Sequence, residues 1–436
     1  MPSVEPTFEW SEANAVGILR GRGREDACGA RTAFGGRIGS TESRPTFRFM
    51  ARLIIFLLLA ATLVGARAAD SKKGSEKSSG ADALFREPTV RTFYIDVPEA
   101  SLAALKQSNH DYVRATFRDG DAILRDAGIR LKGHGTFQPL DRKPAFALKF
   151  NEFVSGQEFR GLSKVVLNNS AQDGSLMREW LAAELYHDAG IPAARVTHAR
   201  VVFNGRDLGF YVLVEAMNKS FLKREFGNGS GSGNLYEGES KDIDQKLDQE
   251  NGDDTSQKDL KALVATAKAP VSQRLEKLSS LLDVDEFASF LAMEMLTAST
   301  GGYTFMRNNY RVFHHPKTDK LMFLPHGLDA AFGSAGFAPP TNSLVVKALW
   351  ELPDFQKQYH ASLHALAEKV WRVEVLSNRV QSAAAKLAGA APDRSTAEGI
   401  ANEASRLCYQ IEQQARFIAS ELKRTAKSSE AVISNQ

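Results

Sequence analysis

The period of the apolar residues changes once along this chain, and that change restricts the fold more than any other feature. Between residues 91 and 214, apolar and β-branched residues come in short runs, at 91–97, 112–117, 128–131, 145–150, 164–167, 199–203 and 209–214, which predict strands. Two helices interrupt them, at 99–107 and 175–189; the second has Ser175 at its start, Gly190 as a stop and Pro192 just beyond. Asn204-Gly205, between the last two strands, predicts a tight hairpin. After a Gly/Ser loop at 228–234, helical periodicity takes over, at 257–267, 271–280, 284–298, 353–368, 373–389 and 397–423. Strands followed by helices predict an α+β protein of two lobes, β-rich over 84–216 and helical over 217–428, with a disordered tail at 429–436.

Upstream, Arg52 precedes an apolar run at 53–65, shorter than the ~20 residues that span a bilayer, and Ala66-Arg67-Ala68 follows as a small-x-small cleavage site. These features predict translation from Met50, a signal peptide over 50–68, an upstream extension over 1–49 foreign to the native protein, and a Gly/Ser/Lys-rich flexible leader over 69–83. The protein is therefore expected to be secreted or in the cell envelope, touching a membrane only through that segment where it stays uncleaved. A net charge of +3 on a chain that is 25% charged leaves no broad basic face, so nucleic acid is not an expected partner. Cys408 is the sole cysteine of the mature chain, which excludes an intramolecular disulfide, and no zinc-type Cys/His spacing occurs.

Three constellations carry chemistry. Ile129-Arg130-Leu131-Lys132-Gly133-His134-Gly135-Thr136 places glycines after a strand, where backbone N–H groups can approach phosphates, and the next strand ends in Lys149, a candidate phosphate partner. On the 175–189 helix, Met177, Trp180, Leu181, Glu184 and Leu185 form one stripe, so a carboxylate at Glu184 would need a cation, with Lys149 the expected partner, unless Glu184 sits solvated at the stripe's edge. Arg178 lies near that helix's N-terminus and adds positive charge for an anion. Finally Asn308-Asn309 precede a hairpin, after which Asp329 stands shortly before Phe332-Gly333; Asp and Asn oxygens suit Mg²⁺ or Mn²⁺. His314 and His315 point to opposite faces of a strand end and read as surface residues.

These blocks, together with Leu167-Asn168-Asn169, His187-Asp188-Ala189-Gly190-Ile191-Pro192, Gly209-Phe210-Tyr211 to Val214-Glu215 and Asn234-Leu235-Tyr236, resemble the CotH kinase family of atypical secreted protein kinases. The resemblance implies a kinase-like fold using ATP with Mg or Mn to phosphorylate Ser of a secreted or coat protein. It implies catalytic roles for Lys149, Glu184, Asn308, Asn309 and Asp329, nucleotide contacts from Lys132, Gly133, Gly135, Thr136, Lys149, Arg178 and Glu215, and metal ligands in Asp329 and Asn309. Two positions depart from the family: Gly301 and Gly327 stand where related sequences often carry Asp. With no carboxylate between Thr297 and His315, the rival expectation is a pseudokinase or envelope scaffold that keeps the fold without transfer.

Overall fold

The computed structural model describes residues 80–107, 110–133 and 135–434, with side chains to residue 424, all within the unit formed by residues 76–436. The expected extension, signal peptide and most of the leader lie outside the described residues. The first strands are β1 (Arg91–Asp96), β2 (Val113–Asp119), β3 (Ala122–Lys132), β4 (Ala145–Lys149), β5 (Lys164–Asn168), β6 (Val196–Phe203) and β7 (Arg206–Glu215). They close into a barrel in the order β1-β2-β3-β4-β5-β7-β6, antiparallel throughout except where β6 meets β1 in parallel. The α+β composition is as expected; the closure is not something alternation reveals, because it joins strands far apart in sequence. At the β6–β7 hairpin both Asn204 and Gly205 have positive φ, 46° and 77°, as the expected tight turn demands.

Alternation along each strand sorts residues between two cores. Phe93, Phe117, Phe146, Phe150, Phe159 and Tyr211 fill the barrel, with rings such as Phe117 and Phe159 at 4.9 Å between centroids. The short helix α1 (Gly80–Phe85) adds Ala81 and Leu84 to this core, and α2 (Glu99–Gln107) adds Leu105. A barrel of this size packed with aromatic rings has no lumen, so any ligand must lie outside it.

The second core belongs to the rest of the chain. Helix α3 (Arg178–Ala189) ends at Gly190 in the left-handed conformation, φ 88°, as expected, but begins three residues after Ser175. Asp173 and Ser175 instead accept from the backbone N–H groups of Arg178 and Met177, at 2.9 and 3.0 Å, and lead the chain into the helix. After α4 (Lys219–Phe226), four strands form a sheet in the order β11-β10-β8-β9: β8 (Leu235–Gly238), β9 (Asp248–Asn251), β10 (Tyr310–His315) and β11 (Lys320–Pro325). Helices α5 (Lys258–Ala267), α6 (Val271–Leu281), α7 (Val284–Leu296), α8 (Tyr303–Met306), α9 (Leu344–Trp350), α10 (Pro353–Val370), α11 (Val373–Gly389) and α12 (Arg394–Ser434) complete it. Helix α12 runs through most of the expected tail. No described helix is long and apolar enough to cross a membrane.

Candidate active site

The outer faces of β3, β4, β5 and β7 present Arg130, Lys132, Ala145, Ala147, Val166, Asn168 and Val214, while their alternate residues fill the barrel. Opposite them stand Glu237 from β8, Glu250 from β9, Arg311 from β10 and the segment Asn308 to Asp329 around the β10–β11 hairpin. The space between is a cleft of about 370 Å³. Alanines at 145 and 147 keep its ceiling shallow, which leaves room for a flat ligand.

At its inner end Glu179, in the first turn of α3, and Asp329 converge on Asn168 at the end of β5. The Asn168 amide donates to Glu179 Oε2 at 2.7 Å and also hydrogen-bonds Asp329. Burial, reinforced by each other's charge in the case of Glu179, pushes both carboxyls above their ordinary range, against the pull of Lys132 and Asn168. Lys132 acts electrostatically on Glu179, Asp329 and Glu237, yet no ion pair ties it to a described residue. Two buried carboxylates sharing one amide form a donor set of hard oxygens, and a divalent cation there would remove the strain between them.

The expected residues divide. Lys132, Gly133, Gly135, Thr136, Glu215, Asn308, Asn309 and Asp329 all border this one cleft. Lys149 does not: it lies beyond Ala147 on β4, paired with Glu152 at 2.6 Å and 42% exposed. Glu184 is also elsewhere. The buried side of α3 is broad, taking in Leu181 and Leu185 as expected but also Glu179, Ala182, Ala183 and Tyr186, while Trp180 and Glu184 are only partly buried at its edge. The signal was Glu179-x-x-Ala182-Ala183-x-x-Tyr186, hidden because alanine carries little hydrophobic weight. The lysine and glutamate brought together are therefore Lys132 and Glu179, not Lys149 and Glu184.

Arg178 does not border the cleft but holds its floor: its guanidinium donates to Ala331 O at 2.6 Å and to Gln410 at 2.7 Å, tying the segment after Asp329 to α3 and α12. Glu215 is consumed by Arg195 at 2.7 Å and Arg224 at 2.5 Å. Asn309 donates from its amide nitrogen to Gly327 O at 2.9 Å, and its backbone oxygen accepts from the His326 N–H at 3.1 Å, which fixes the loop at the edge of the cleft. Asn308 accepts from Ser240 N at 3.1 Å. Of the two histidines, His315 is not a surface residue but buried, accepting from the backbone of Lys317 and Thr318, whereas His314 stays partly exposed between Asp259 at 3.0 Å and Asp319 at 2.8 Å.

A second polar cluster, absent from the sequence reading, forms the cleft's opposite wall. Glu237 Oε1 lies 3.1 Å from the Arg311 guanidinium and 3.1 Å from His326 Nε2. Burial opposes ionisation of Glu237, but Arg311 and His326 outweigh it and hold that carboxyl well below its ordinary range. Burial and Arg311 push His326 below its ordinary value, so the imidazole is neutral near pH 7.

Comparison with known proteins matches residues 129–423 to the family model described as CotH kinase protein. Inner spore coat protein H of Bacillus subtilis (strain 168) is 22% identical over 260 residues, 53% of this chain and 69% of that protein. Invasin CotH3 of Rhizopus delemar is 25% identical over 231 residues, 47% of this chain and 37% of the invasin. Among solved structures, the Helicobacter pylori proinflammatory kinase CtkA aligns at 8% identity with a TM-score of 0.32, covering 70% of this chain and 95% of that one. Since the family match takes in most of the chain and every cleft residue from Arg130 to Asp329, the chain belongs to the CotH kinase protein family.

Proposed function

We propose that the cleft binds ATP with Mg²⁺ or Mn²⁺ and that the protein transfers the terminal phosphoryl group to a serine hydroxyl of a surface or secreted protein. In this reading the barrel and the helical part serve as the two lobes of a kinase-like fold. The observation that carries it is the convergence of Glu179 and Asp329 on Asn168, facing the Lys132 ammonium, inside a cleft walled by glycines and small apolar residues. Glu179 and Asp329 would hold the cation, which supplies charge neutralisation for the phosphate oxygens. Lys132 pairs with the phosphates, the backbone of Gly133 and Gly135 approaches them, and Ala145, Ala147, Val166 and Val214 receive the base. The spore-coat and invasin names of two relatives support an acceptor at a surface.

One observation favours binding without transfer: Asn309 fills the space beside both Gly301 and Gly327, so neither missing carboxylate has room to be replaced nearby. Calorimetry with ATP and Mn²⁺ tests the site. Charge-assisted contacts are worth ~1.5–3 kcal/mol, so Lys132→Ala and Asp329→Ala should each raise Kd roughly tenfold or more. Lys149→Ala, outside the cleft lining, should leave it unchanged. Equal affinity in the wild type and both cleft variants would remove the nucleotide from this site.

A further inference from the structure

A hydroxyl acceptor has to lose its proton, and three buried carboxylates, Asp173, Glu215 and Asp242, are spent elsewhere. Asp173 accepts from Ser175 and Arg178, and Asp242 from Tyr303 Oη at 2.9 Å and Leu344 N at 2.7 Å. Glu215 is held by two arginines.

His326 is differently placed. It follows β11 directly, borders the cleft three residues before Asp329, and has its backbone fixed by the N–H to Asn309 O. Glu237 Oε1 lies 3.1 Å from Nε2, which sets the tautomer with the proton on Nε2 and the lone pair on Nδ1. Nδ1 hydrogen-bonds to no described residue. The charged groups around this imidazole are Glu237 from β8, Arg311 from β10 and Lys132 from β3.

We propose that His326, oriented by Glu237, is the proton acceptor for the hydroxyl that receives the phosphoryl group, an assignment that rests on the transfer reading above. The acceptor O–H bond breaks and its proton passes to Nδ1. The freed oxygen pair bonds to the terminal phosphorus, the bond from that phosphorus to the bridging oxygen breaks, and ADP leaves with that pair. The proton then passes from His326 to water. Glu237 is a positioning residue, and Arg311, by ion-pairing with the same oxygen, keeps it ionised.

The test measures transfer from labelled ATP, with Mn²⁺, to the chain itself and to water, alongside calorimetry of nucleotide binding. His326→Ala should retain binding while transfer falls roughly a hundredfold or more. Added imidazole should restore transfer in proportion to its concentration, which a purely structural role would not allow. Wild-type transfer should rise with pH as the imidazole loses its proton, and that limb should vanish in His326→Ala. Glu237→Gln should lower kcat with KM little changed and move the limb to lower pH, since the carboxylate favours the charged ring. Glu239→Gln controls for a further carboxylate that borders the cleft. Transfer by His326→Ala within threefold of wild type, absence of imidazole rescue, or wild-type binding without transfer each overturns the proposal and leaves nucleotide binding standing. Failure of the wild type to bind ATP with Mn²⁺ overturns both.

Discussion

Asn309 is the residue on which the departure from the family turns. A Cβ added at Gly301 would meet its Nδ2 at 2.9 Å, and one at Gly327 would meet its Cγ and Oδ1 at 2.8 Å. Gly327 also has φ 55°, where side chains are strained. The two glycines and the asparagine therefore form one packed unit, and restoring a carboxylate alone should fail. Gly327→Asp is expected to cost ~1–3 kcal/mol by overpacking. Adding Asn309→Ala should recover part of that loss, so a double-mutant cycle in urea should show favourable coupling. Simple additivity would contradict the shared space. At this scale the sequence was half legible. Lys132, the glycines and Asp329 stood in motifs whose chemistry needs them. Glu179 did not, because its burial follows from Ala182 and Ala183, and Lys149 read as a site residue because strand registers are invisible in one dimension.

Among the elements, α5 is fastened to the β8–β10 edge through one carboxylate. Asp259 accepts from Tyr236 Oη at 2.8 Å and Asn234 Nδ2 at 3.0 Å, and faces His314 Nδ1 at 3.0 Å. Although burial opposes it, these partners hold the Asp259 carboxyl down at about 2, while Asp259, against burial and with help from Asp319, raises His314 above 6.5. A histidine raised in the folded state contributes stability that is fully present below its unfolded value and is lost as pH rises through its folded value. His314→Gln should thus lower Tm more at pH 6 than at pH 9. Parallel melting curves across that range would refute the pairing. Most strands of the barrel were legible because one face packs aromatic rings and the other does not. Strand β9, Asp248-Gln249-Glu250-Asn251, was not, since it is short, polar and half exposed. Its place is set by pairing with β8 and by Glu250 reaching Lys164 of β5 at 3.6 Å across the cleft.

For the molecule as a whole, the α+β character was legible from the change in period, whereas the barrel's closure was not. That closure rests on the parallel register from Arg91↔Ala199 to Ile95↔Phe203, with every other strand of the barrel lying between or after these segments. Pairings so distant in sequence pay loop-closure entropy before they gain contacts. The seam should therefore form late, after the antiparallel neighbours have zipped. Ile95 is fully buried, so Ile95→Ala is expected to cost ~2–5 kcal/mol. If the seam closes after the rate-limiting step, that loss will appear almost wholly as faster unfolding, with the folding limb of the chevron nearly unmoved. A matching slowdown of folding would place the seam in the nucleus. A chain made from its N-terminus completes β1 first but cannot use its second edge until β6 exists. Through that interval β1 offers unpaired backbone to any passing strand. Newly made chains should accordingly be most prone to misassociate while the length between these two strands is being made, and a holding partner that masks an extended strand would act at this stage.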